Sequence, residues 1–145
     1  MTDASVIQIT YPDELQQIRD KHSKRGYTQL ADCLRRFLIN RSARIRRFRE
    51  ELEQIEKRQL PLESAIGLYI LDNKTSVSMN LDMHDQWEEI LKHEWIEREK
   101  GNPLPVEEIR KQWVKKYAEA WRIHRVREIM YVFSQNKEAY MEMVR

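Results

Sequence analysis

Thr28 to Arg58 reads TQLADCLRRFLINRSARIRRFREELEQIEKR, and this stretch decides the fold. It holds neither glycine nor proline, so nothing in it interrupts a helix. Leu30, Leu34, Phe37, Leu38, Ile45, Phe48, Leu52 and Ile55 fall within an arc of about 100° at helical pitch. The spacing predicts one long amphipathic helix over about 28–58. Pro61 ends it, because proline biases the residue before it away from helix.

Between Arg35 and Arg49 this stretch carries seven arginines, at 35, 36, 41, 44, 46, 47 and 49, and no acidic residue. On the helical wheel Arg35, Arg36, Arg46, Arg47 and Arg49 oppose the apolar stripe. Those five are the expected nucleic-acid contacts, since a guanidinium fork matches phosphate oxygens in bidentate geometry. Arg41 falls inside the stripe, which predicts a place at a partner interface, and Arg44 lies at the stripe's edge. The competing expectation is that the arginines pair within the chain, with Glu50, Glu51, Glu53 and Glu56 or with the acidic residues between Asp82 and Glu99.

On the N-terminal side, Ser5 to Tyr11 alternate β-branched and polar residues, which suits an extended arm over 1–11. Pro12, Asp13 and Glu14 then open a short helix to about Lys24, and Gly26 stops it. On the C-terminal side, residues 62–81 admit two readings. A helix from Leu62 to Leu71, opened by Pro61 and Glu63, is the first. A small β-hairpin at 65–81 is the second, because Ile66, Leu68 and Ile70 alternate, as do Val77, Met79 and Leu81.

A helix follows from Asp82 to about Lys100. Gly101-Asn102-Pro103-Leu104-Pro105 is the clearest loop. A second long helix covers about 105–133, and a last short one Lys137 to Val144. The helices flanking the loop are expected to fold back as an antiparallel hairpin over about 82–133. Trp87 and Trp95 on one arm would then meet Trp113 and Trp121 on the other, giving a core seam of four indoles. Beyond Arg122 the apolar residues change face: Ile123, Val126, Met130 and Phe133 lie roughly opposite the set led by Trp113. That second face is expected to be covered by a partner or by another part of the chain.

The fold class is therefore all-α, a helical bundle read as a single domain over 1–145. With 26 basic against 24 acidic residues the net charge is only +2, so any attraction to a polyanion is local. Cys33 is the sole cysteine and cannot form an internal disulfide. The start of the chain lacks a leader-like pattern, and no apolar run reaches membrane length. A cytoplasmic protein without membrane contact is expected.

No catalytic residue, metal site, cofactor or small-molecule substrate is expected. His84 with Glu88 and Glu89 with His93 are i,i+4 pairs on different faces, and no glycine-rich phosphate loop or zinc spacing occurs. The expected function is that of a non-enzymatic subunit or adaptor of a larger assembly, contacting the nucleic-acid backbone through the arginine face. The alternative is a purely protein-binding adaptor whose arginines are ion-paired, joined to a protein partner or to a second copy.

Overall fold

The computed structural model describes residues 28–145. The N-terminal arm over 1–11 and the helix expected to about Lys24 lie outside them. The elements are α1 over residues 28–40, α2 Ser42–Glu56, α3 Leu62–Asp72, α4 Lys74–Val77, α5 Met79–Glu99, α6 Val106–Gln135 and α7 Lys137–Val144. No strand occurs among the described residues.

The long helix over 28–58 is interrupted once. Arg41 adopts φ −116° and ψ 14° between α1 and α2. Hydrogen bonds from Arg41 N–H to the Phe37 carbonyl (3.1 Å) and from Ile45 N–H to the Arg41 carbonyl (2.9 Å) still span the break. Asn40 and Ser42 flank it, and both side chains compete with helical backbone hydrogen bonds. α2 ends at Lys57 in the left-handed region, φ 55°. Glu53 then accepts the Leu60 N–H at 2.8 Å, turning the chain into α3.

The β-hairpin reading of 65–81 is overturned. Ala65, Ile66 and Ile70 are buried while Leu68 is exposed, which is the period of a helix and not of a strand. Pro61 occupies the N-cap of α3 with Glu63 in the first turn. The Asp72-Asn73-Lys74 turn does bend the chain, because Asn73 donates its side-chain amide back to the Tyr69 carbonyl at 2.9 Å.

Two apolar clusters result. The larger gathers Leu34 and Leu38 of α1, Ile45 of α2, Ile66 and Ile70 of α3, Ile129 and Phe133 of α6, and Tyr140 and Val144 of α7. The smaller joins Ile90 of α5 to Trp113, Tyr117 and Trp121 of α6. α6 belongs to both. Its length of about 45 Å follows from 1.5 Å per residue. Its buried ridge runs Ile109, Trp113, Tyr117, Trp121, Arg125, Ile129 and Phe133, every fourth residue. Each step of four overshoots a turn by about 40°, so the ridge winds around the helix. This accounts for the change of face past Arg122 without a break: the first half of α6 meets α5 and the second half meets the main core.

Candidate binding surfaces

The arginine face expected to meet nucleic acid is partly committed within the chain. Arg46 Nη1 donates to the Val144 carbonyl at 2.7 Å, and Arg49 Nε to the Leu60 carbonyl at 2.7 Å. Both tie α2 to neighbouring segments. The helical wheel places side chains on a face but cannot show which chain end approaches that face.

Arg35 and Arg36 are exposed and share Asp32, at 2.9 Å and 2.5 Å. The Arg35 hydrogen bond, supported by the Arg36 charge, holds the Asp32 carboxyl below the ordinary carboxylate range. Arg44 and Arg47 are exposed. Arg41 is half-buried, its guanidinium 4.4 Å from the centre of the Phe37 ring.

The expected partner face on α6 is mostly covered by the chain itself. Phe133 is core at 4% exposure, Met130 packs against the same cluster, and Ile123 and Val126 are half-buried.

The tryptophans divide. Trp113 and Trp121 are buried with ring centroids 6.1 Å apart. Trp87 and Trp95 are 47% and 63% exposed, so the seam of four indoles does not form. Apart from Ile90, the buried residues of α5 are instead charged: Asp82, Asp85, Glu89 and Glu94. Arg125, 3% exposed, donates Nε to Asp82 at 2.5 Å, and its Nη atoms lie 3.3 Å from Asp85 and from Glu128. Ser78 donates its hydroxyl to Asp82 at 2.8 Å. Further along, Arg110 bridges to Glu94 at 2.9 Å, so α5 and α6 run in opposite directions. Because α5 turns these carboxylates inward, most of its large apolar residues other than Ile90 point outward.

Those apolar residues are Met79, Met83, Trp87, Leu91 and Trp95, all exposed and all four residues apart. Arg110 lies over the Trp87 ring at 4.9 Å. A shallow depression of about 450 Å³ opens beside Trp87, bounded by Met83, His84, Gln86 and Ile90. In the sequence a surface groove of tryptophans is the weaker of two readings, although the period of four is already present there. The eight-residue spacing within each tryptophan pair and the expected hairpin instead place all four indoles in the interior seam.

Ligand atoms of His84, Asp85 and Glu88 lie within 4.8 Å of one another, but Arg125 already holds the Asp85 carboxylate. The Glu97 carboxyl is lowered by the side-chain hydrogen bond from Asn102. Burial alone pushes the Tyr140 hydroxyl up, and burial likewise raises the Cys33 thiol. No described helix is long and apolar enough to cross a membrane. The chain matches no family model, no curated protein and no solved structure.

Proposed function

We propose that this chain is a non-enzymatic helical adaptor or subunit that seats a helix of a protein partner on the exposed ridge of α5. The observation that carries this reading is the unbroken row Met79, Met83, Trp87, Leu91, Trp95. Its exposed fractions, applied to about 200 Å² per side chain of this size, leave roughly 500 Å² of apolar surface in one strip. That lies near the top of the ~300–600 Å² range for the largest patch on a monomer. It is also about two-thirds of the ~800 Å² that each partner contributes to a standard interface.

The occupant is argued from the row's shape. A row of i,i+4 residues is the ridge that packs into the matching groove of a second helix, crossing at about −50°. The depression beside Trp87 gives such a helix a socket for one apolar anchor. Two methionines let the surface adapt to the incoming side chains.

The test compares the wild-type chain with Trp87→Glu/Leu91→Glu in affinity purification from the native host, with sedimentation of each purified protein alongside. The reading expects a partner that survives nuclease treatment and is lost with the variant, while helicity is unchanged. Identical recovery by both proteins overturns it. Self-association of the wild-type chain, abolished by the variant, replaces the partner helix with a second copy.

A second reading, phosphate-backbone contact through α1 and α2, is favoured by Arg44 and Arg47. Both are exposed, and among the described residues neither faces a carboxylate partner. With Arg35 and Arg36 they offer four outward guanidinium groups. At roughly 0.7–0.9 per contact, oligonucleotide affinity should then fall with salt at a log–log slope of about −3 to −4. Absence of binding at about 50 mM salt removes this reading.

A further inference from the structure

A cleft of about 240 Å³ opens where the α1–α2 break faces the α4–α5 joint. Arg36, Asn40 and Arg41 line one side, Ser76 and Asn80 the other, and Cys33 also borders it. No carboxylate is among its lining residues, in a chain where acidic and basic residues are nearly balanced. The volume falls below the roughly 300–1,000 Å³ of sites for drug-sized ligands, so the cleft suits one compact group.

The donors are of one kind. Arg41 rests the face of its guanidinium on Phe37, which leaves the N–H edge available. It owes its position to the interruption between α1 and α2, where it sits outside helical geometry. Arg36 gives one nitrogen to Asp32 and keeps its remaining donors. Asn40 and Asn80 add amide donors, and Ser76 a hydroxyl. The N-terminus of the long helix α5 lies beside them with no side-chain cap, because Ser78 turns its hydroxyl to Asp82. Its dipole adds positive potential to a cleft already made by the side chains.

We propose that this cleft binds a single phosphate group, held by Arg36, Arg41 and Asn80. The inference is independent of the partner helix on α5. The two arginines bind in fork geometry, and Asn80 closes the opposite wall.

Cys33, the only thiol in the chain, reports on occupancy. Its alkylation by a small uncharged reagent is followed in inorganic phosphate and in chloride at equal ionic strength. With a Kd of about 1 mM, ~10 mM phosphate fills about nine-tenths of the sites and slows the reaction about tenfold. Asn80→Asp places a carboxylate in the cleft at an exposed position of the first turn of α5, where an acid suits the helix, and should return the ratio to about one. Arg41→Gln should do the same, and should it fail to fold, Asn80→Asp decides alone. Arg47→Gln, outside the cleft, should keep the full protection.

A 5′-capped oligonucleotide, holding only diesters, separates the sources of the phosphate. Protection at lower phosphate concentration than the inorganic ion indicates a nucleic-acid backbone. Protection by the ion and a mononucleotide alone indicates a phosphomonoester. Equal rates in phosphate, oligonucleotide and chloride overturn the proposal, as does protection that persists in Asn80→Asp.

Discussion

Replacing Arg125 with leucine should be among the most damaging single changes in the described chain. The guanidinium is 3% exposed and is the common partner of Asp82, Asp85 and Glu128, whose side chains are 12%, 5% and 6% exposed. Leucine fits the apolar ridge above and below, between Trp121 and Ile129, so the cost is not one of shape. It comes from removing the cation that three largely buried carboxylates share. Breaking a buried pair by removing one partner costs about 3–5 kcal/mol, and Asp82 also loses one of its principal donors. At about 3–4 °C per kcal/mol for a chain of this size, the thermal midpoint should fall by roughly 10–20 °C. Urea melts followed by circular dichroism measure the loss directly. Adding Asp82→Asn and Glu128→Gln to Arg125→Leu should recover much of the loss at neutral pH. A deficit below about 1 kcal/mol, or one that the added Asp82→Asn and Glu128→Gln leave unchanged, would refute the assignment of this residue as the keystone of the α5–α6 contact.

Three further outcomes follow from the same geometry. Trp113→Ala should cost about 3–5 kcal/mol, as aromatic truncations in cores do, whereas Trp95→Ala should change a denaturant melt by less than about 0.5 kcal/mol. Arg46→Glu should destabilise by about 1.5–3 kcal/mol through loss of the charged hydrogen bond to the Val144 carbonyl, while Arg47→Glu leaves stability within about 0.5 kcal/mol. Asn102→Ala removes the principal cause of the lowered Glu97 carboxyl, so NMR titration should show it moving up toward the ordinary range. The sign follows from linkage: a carboxyl depressed in the folded chain adds stability above its unfolded pKa and loses it as pH falls through the folded one. The variant should therefore lose stability at neutral pH and show a weaker dependence on acid.

Helical content was legible because so few residues break a helix. The extent of α1 and α2 follows from the absence of glycine and proline between Thr28 and Arg58. The break at Arg41 was harder to read, since asparagine and serine weaken a helix without forbidding it. Alternation over Ile66, Leu68 and Ile70 also suits a strand, and packing against α1, α2 and α7 decides for the helix.

The candidate surfaces were less legible. Size suggests that a tryptophan is buried, but Asp82, Asp85 and Glu94 take the inner face of α5 because Arg125 and Arg110 wait for them on α6. That pairing is a tertiary fact, invisible in either helix alone. The same holds for Arg46 and Arg49, whose carbonyl partners lie in segments that the wheel does not contain. The phosphate cleft joins residues near 36–41 to residues near 76–80, and no local pattern links the two.

The winding ridge of α6 makes that helix resemble a threaded rod held by two nuts. One nut is the tryptophan cluster against α5, the other the core beneath α1, α3 and α7. The spacing between the two contacts is set by the pitch of one continuous helix. Adding one residue between Trp121 and Ile129 would swing everything beyond it by about 100°, and the thread would engage only one nut at a time.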